Sequence, residues 1–243
     1  MAVIPAFQLK IYSLVFLMIT DCIIIFIKSL LTRQVKSRLA KDIGPEAATA
    51  IYQCFVDDTL RLLEKSAYPF IIAYYPPAAE IEVKQWLGEE YNYFSQQGND
   101  LGENMKNAFY HIFNAGFSRV LLTGSDIPDL PPAVINEAFL GLETSDAVIG
   151  PSLDGGYYLI GFNETKFLPD IFENIKWSTP TVFQETMTIF QEHNYHVHKL
   201  TGWRDVDDFA DLKALYNRNR NTAFADSATI NFIKNTKIFP LQL

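Results

Sequence analysis

The sequence predicts an α/β fold of three layers, αβα, with a mostly parallel sheet in the middle. Short, continuously apolar runs such as "CIIIFIK" (22–28) and "RVLLTG" (119–124) have the character of strands buried on both faces. Segments with helical apolar spacing alternate with them, the signature of βαβ units. No linker, internal repeat or low-complexity run divides the 243 residues, so these elements share one domain.

The elements follow in order. After the 22–28 strand, Gly44-Pro45 opens a helix over residues 45–66, with proline in the first turn. "YPFIIAYYP" (68–76) is the second strand. "KQWLGEEYNYFSQQG" gives a short helix and a strand near 91–95. Met105, Ala108, Phe109, Ile112 and Phe113 recur at i, i+3, i+4, i+7 and i+8, an amphipathic helix ended by Gly116. A strand follows at 119–123, then a helix with Ile135, Ala138, Phe139 and Leu142 on one face. "DAVIGP" and "YYLIGF" are two more strands. Phe183, Thr186, Met187 and Phe190 mark a helix, "YHVHKL" a strand, and residues 209–216 the last clear helix. The reading divides the chain into an apolar extension (1–20), a single domain (21–220) and a tail packed on it (221–243).

Composition sets bounds. About half of the residues are hydrophobic (49%) and a fifth are charged, as in globular proteins. A net charge of −8 argues against nucleic acid as the partner, because a phosphate backbone needs a basic face. Cys22 and Cys54 form no CxxC pair and fall within apolar patterns, which suits reduced thiols in a cytoplasmic protein. The run "IYSLVFLMITDCIIIFI" (11–27) approaches the length of a membrane span. Asp21 lies within it, and an aspartate at a spanning centre costs about 3 kcal/mol. The favoured reading ends the extension there and starts β-structure at Cys22, with Met18 as an alternative translation start. Membrane association through residues 1–20 is the alternative, and apolar neighbours of Tyr12 and Phe16 offer a homodimer contact.

In open α/β sheets, ligands bind beyond the carboxyl ends of the strands. Asp126 in "VLLTGSDIPDLPP" stands at such an end. Asp129, just before Pro131, is expected to cap the following helix. The loop "KSLLTRQVKSRL" gathers Lys28, Arg33, Lys36 and Arg38; a non-helical segment would aim Lys36 and Arg38, two apart, at one anion, the alternative being a solvated basic loop. "SLDGGYYLIGF" carries Asp154, Gly155 and Gly156, either a close backbone approach to a ligand or a plain hairpin turn. "WRDVDDFADL" sets Asp205 and Asp207 two apart before a helix for which Asp207 or Asp208 is the N-cap. Aspartates with a phosphorylated substrate suit Mg²⁺ or Mn²⁺. His196 and His198 share a strand face but lack a third ligand. His111, His193, Trp86 and Trp203 read as packing or surface residues.

The ordered set "QVKSRLAKDIG", "QQGNDLGENM", "VLLTGSDIPDL", "AVIGPSLDGGYYLIGF", "IKWSTPTVFQETM" and "DVDDFADL" resembles a bacterial glycosyltransferase-like family of the nucleotide-diphospho-sugar transferase superfamily, with the GT-A fold. That family is distantly similar to 2-phospho-lactate guanylyltransferase and molybdenum-cofactor guanylyltransferase. The resemblance spans about 22–216. It implies a transferase acting on a nucleotide-sugar or nucleoside-triphosphate donor and a small-molecule acceptor. Lys36 and Arg38 match the K-T-R segment, Asp126 the metal-binding G-S-D-x-P acid, and Asp207 with Asp205 the D-V-D acids. Asp154 to Tyr157 match D-G-G-Y, with Asp154 the candidate base. Trp177 and Ser178 match a W-S pair placed, with Tyr157, at the acceptor. Lys28, Gly155 and Gly156 join the donor set. Leu30, Arg33 and Asn104 depart from the pattern, replacing a proline, a glycine and an arginine.

Overall fold

A computed structural model describes residues 20–30, 35–236 and 238–239. Among these, seven strands form one sheet: β1 (Asp21–Lys28), β2 (Phe70–Tyr75), β3 (Tyr93–Ser95), β4 (Arg119–Gly124), β5 (Ala147–Pro151), β6 (Tyr157–Asn163) and β7 (Val197–Lys199), in the order β3-β2-β1-β4-β6-β5-β7. All seven were expected from the sequence. β6 runs antiparallel to both neighbours, and every other pairing is parallel. The chain turns in opposite directions from the central pair β1 and β4, so their carboxyl ends form a switch point where a crevice opens.

The helices are α1 (Ser37–Ile43), α2 (Pro45–Glu64), α3 (Glu80–Leu87), α4 (Leu101–Asn114), α5 (Pro132–Gly141), α6 (Val182–Glu192), α7 (Phe209–Asn219) and α8 (Ala228–Thr236). One core layer joins α1, α2, α3, α5, α7 and α8 to the sheet through residues such as Leu39, Phe55, Val83, Phe139, Leu212 and Ile230. The other joins α4 and α6 through Phe109, Ile112, Phe162, Phe172 and Phe190. Sequence reading missed α1, which contains Arg38, and α8, which lies in the presumed tail. Both are short, so their stability comes from packing and capping rather than from propensity. Asp58 of α2, itself buried, accepts hydrogen bonds from Ala228 N (2.9 Å) and Thr229 N (2.8 Å) and so caps α8.

Among the described residues no helix is long and apolar enough to cross a membrane. The extension 1–19, with Tyr12, Phe16 and Met18, and the loop residue Arg33 lie outside them. Both cysteines are free thiols, Cys22 buried and Cys54 half-buried.

The largest correction concerns Asp129. It does not cap α5, whose N-cap is Pro131. Its side chain is 1% exposed. It accepts from Arg218 Nε (2.6 Å) and Nη2 (2.9 Å), Trp203 Nε1 (3.1 Å) and Asn219 Nδ2 (2.5 Å). One carboxylate thus joins the loop after β4 to α7 and to the 203–208 segment. Three residues earlier, the Asp126 carbonyl accepts from Val206 N at 2.9 Å.

Removing Asp129 leaves the Arg218 guanidinium without its counter-charge. Asp129→Ala is expected to cost about 3 kcal/mol or more in urea denaturation. A loss under about 1 kcal/mol, the size of a surface pair, contradicts this reading.

Candidate active site

The carboxyl edge gathers residues from four separate stretches. Lys36 sits just before α1 in the left-handed backbone region (φ 51°, ψ 46°), which turns its side chain inward. Its ammonium is buried, lies 5.8 Å from the Phe55 ring centroid, and reaches Asp126 Oδ1 at 2.8 Å and Asp207 Oδ1 at 3.0 Å. The expected meeting of residues 126 and 207 therefore occurs through a lysine. Arg38 does not point with Lys36 from a non-helical segment. It lies on α1 and approaches the other Asp207 oxygen, Oδ2, at 3.5 Å.

A second group forms beside this pair. Between β5 and β6 the chain makes a hairpin, Ser152 N donating to Gly156 O at 3.0 Å and Gly155 N to Ser152 O at 3.3 Å. The 203–205 segment runs alongside: Trp203 N donates to Pro151 O, and Leu153 N to Trp203 O. This pairing carries Asp205 to the hairpin, where its Oδ1 accepts from Ser152 Oγ at 2.8 Å. One carboxylate oxygen each from Asp154, Asp205 and Asp207 lie within 4.8 Å of one another. Asp208, not Asp207, is the N-cap of α7, forming a capping box with Asp211. Asp207 is left for the rim.

The electrostatics of Asp205 and Asp207 differ. Burial pushes Asp205 up to about 6; the charges of Asp154 and Asp207 add to this, and the Ser152 hydrogen bond only partly opposes it. Burial also acts on Asp207, but the charge and hydrogen bond of Lys36, aided by Arg38 and Lys28, hold it below the usual carboxylate range. Lys36 is desolvated too, yet its two carboxylates keep it above the ordinary lysine value.

The glycines have a structural use. Gly155 has φ 95°, and a Cβ there would lie 2.1 Å from Pro180 O. Its own carbonyl accepts from Phe183 N at 2.9 Å. The missing side chain thus lets the 178–183 segment close on the hairpin. Gly156 N donates to Asp154 Oδ1 at 2.9 Å, which orients that acid. Tyr157 meets Trp177 edge-on, ring centroids 6.4 Å apart, and its hydroxyl reaches Met105 Sδ at 3.8 Å. These rings pack against the α4 and α6 side of the sheet. Ser178, next to Trp177, has φ 63°. The departure Asn104 is buried on α4 with its Oδ1 unpaired.

The histidines do not join the site. His196 Nδ1 meets Thr144 O and His198 Nε2 meets Glu137, while His111 stacks on Phe94. Two residues the sequence reading passed over, Ser152 and Tyr52, support the rim, as does Asp129, which was expected to be a helix cap. The Tyr52 hydroxyl accepts from Lys28 N at 2.8 Å and Ser125 Oγ at 3.2 Å. In sequence Tyr52 belongs to an apolar helical stripe and reads simply as core.

The seven-stranded, mostly parallel sheet is that of the nucleotide-diphospho-sugar transferase fold. A Desulfovibrio desulfuricans protein, provisionally described as a nucleotide-diphospho-sugar transferase, is 39% identical over 90% of this chain and 96% of its own, with a TM-score of 0.87. Residues 59–179 also match the family DUF2064, described as an uncharacterized protein conserved in bacteria. The chain belongs to the nucleotide-diphospho-sugar transferase superfamily. More distant structures share the fold alone. CMP:2-keto-3-deoxy-manno-octonic acid synthetase complexed with CTP matches at 9% identity, TM-score 0.52, over 81% of this chain and 96% of its own. The manganese complex of Rv0371c from Mycobacterium tuberculosis matches at 14%, TM-score 0.50, over 81% and 97%. No curated protein matches the chain.

The raised Asp205 has a signed consequence. Its carboxyl is more basic folded than unfolded, where an aspartate titrates near about 3.9. It therefore supports the metal-free fold below about pH 4, and that support is lost as pH rises through about 6. Asp205→Asn keeps an acceptor for Ser152 and is expected to raise the metal-free melting temperature at pH 7.5 while leaving it unchanged at pH 4. An equal change at both pH values contradicts the assignment.

Proposed function

We propose that this protein is a metal-dependent transferase that takes a nucleotide donor, either a nucleoside triphosphate or a nucleotide sugar, and delivers its group to a small-molecule acceptor. The observation that carries this reading is the convergence of Asp154, Asp205 and Asp207 beside the buried Lys36. Three carboxylates within 4.8 Å, one pushed up to about 6 by burial and by its like-charged neighbours, match the hard oxygen ligands that Mg²⁺ or Mn²⁺ selects. Asp154, Asp205 and Asp207 would hold the ion, with Asp126 close by through the shared lysine. Bound there, a divalent ion supplies Lewis-acid neutralisation of a diphosphate leaving group.

The side chains supply the rest. Lys36 has three N–H donors and commits two to Asp126 and Asp207, so it can direct the third at a donor phosphate. The two carboxylates fix its position and keep it charged despite its burial, so charge developing on a phosphate oxygen meets a preorganised cation. Arg38 and Lys28, whose charges both lower Asp207, extend the cationic side and are assigned to the outer phosphates. Tyr157 and Trp177 offer an aromatic wall for the acceptor, with Ser178 at its edge. Asp154, the most exposed acid of the three, is the one that can reach an acceptor hydroxyl as base. Both donor types release a diphosphate-bearing group, pyrophosphate or a nucleoside diphosphate. Nucleotidyl transfer is the second reading, favoured by a fold shared with a CTP-bound synthetase. The free thiols suit a cytoplasmic enzyme.

Calorimetry with nucleoside triphosphates and nucleotide sugars in the presence of Mn²⁺ tests this. The wild-type chain is expected to bind at least one of them in a Mn²⁺-dependent way, and Asp207→Asn to weaken that binding about 100-fold. Asp126→Ala should also weaken it, by releasing Lys36. Metal-independent binding, or an unchanged constant in Asp207→Asn, refutes the proposal. Product analysis, pyrophosphate against nucleoside diphosphate, separates the two chemistries.

A further inference from the structure

The last β1–β4 pair is Phe26 with Gly124, yet β1 continues to Lys28 along β2. Beyond Gly124 the β4 chain turns out toward Asp126. The Lys28 N–H therefore has no strand on that side to receive it, at the point where the sheet splits to form the crevice. Tyr52, projecting from α2, fills the split. Its hydroxyl accepts from Lys28 N at 2.8 Å and from Ser125 Oγ at 3.2 Å. Tyr52 and Ser125 are each 3% exposed, so water does not compete for these bonds. Trp86 of α3 backs the ring, centroids 6.4 Å apart. Burial drives the phenol far above the usual tyrosine range, so it stays neutral while it serves as acceptor.

We propose that Tyr52 is a positioning residue: its phenol replaces the missing rung between the diverging ends of β1 and β4, and thereby sets where Lys28 and Asp126 stand relative to Lys36 and the donor phosphates. This rests on the transferase reading for the word donor, but the geometric part stands without it. Both residues that Tyr52 binds adjoin the rim directly: Lys28 is one of them, and Ser125 precedes Asp126. Asp126 in turn holds Lys36 at 2.8 Å. A shift of the 125–126 turn therefore changes the setting of the buried ammonium.

The test compares wild type, Tyr52→Phe and Ile51→Val, the last a neighbouring core change on α2 that leaves the rung intact. The Lys36 ammonium is buried and doubly hydrogen-bonded, so in ¹⁵N-lysine-labelled protein it gives a slowly exchanging resonance, assigned by its loss in Lys36→Met. Mn²⁺ affinity is read by electron paramagnetic resonance with the metal alone as probe. Tyr52→Phe keeps the ring, and is expected to displace the Lys36 resonance and weaken Mn²⁺ binding about fivefold, the scale of one hydrogen bond. Ile51→Val is expected to lower the melting temperature and change neither. If Tyr52→Phe does not fold, Ser125→Ala removes the other arm and is read the same way. A wild-type Lys36 resonance in Tyr52→Phe, or in Ser125→Ala where that variant replaces it, overturns the proposal, as does an equal displacement in Ile51→Val. If the wild type binds no Mn²⁺, the metal reading fails, and the Lys36 resonance alone decides the positioning role.

Discussion

The geometry of the crevice depends on one buried carboxylate. Asp129 takes hydrogen bonds from Arg218, Asn219 and Trp203, three residues that lie far along the chain. A charge this deep is tolerated only with a cation and neutral donors around it, so the loop after β4, α7 and the segment before α7 must all be in place together. Once they are, the Val206 N–H falls on the Asp126 carbonyl, and Asp205 and Asp207 arrive on either side of it. Residues roughly 80 positions apart in sequence thus share one rim because a carboxylate that touches no substrate requires it.

The rim itself is left out of balance. Lys36 satisfies Asp126 and Asp207, and Arg38 adds to Asp207. Asp205 accepts from the Ser152 hydroxyl and from its own backbone N–H, and faces two like charges. A protein built only for stability would gain by neutralising it. Its persistence beside two further acids is the kind of local strain that sites for ions display.

Much of this could be read from the sequence, and the rest could not for definite reasons. Strands such as β1 and β4 and the amphipathic α4 announce themselves through periodicity, which depends only on which side faces the core. The acids at strand ends were legible because parallel strands deliver their following loops to one edge. Asp129 was misread because an acid shortly before a proline-led helix is the local pattern of a cap, whereas its real partners are set by tertiary packing. Lys36 and Arg38 were expected to act as a pair; the left-handed turn at Lys36 and the start of α1 send them to different oxygens, and no residue type there announces it. Tyr52 was hidden because the stripe that buries its ring says nothing about its hydroxyl. The Gly155-Gly156 pair was ambiguous, and the answer lay in Pro180, a contact that no local signal carries.

That contact has a consequence for how such an enzyme diversifies. Because Gly155 is clamped beneath Pro180 and bonded to Phe183, the turn bearing Asp154 and the stretch bearing Trp177 and Ser178 are mechanically one piece. On the proposed function, an altered side chain selected for a new acceptor would tug on one of the acids proposed to hold the ion. On that proposal, selectivity and chemical competence are inherited as a unit here, and adapting one requires compensating changes in the other.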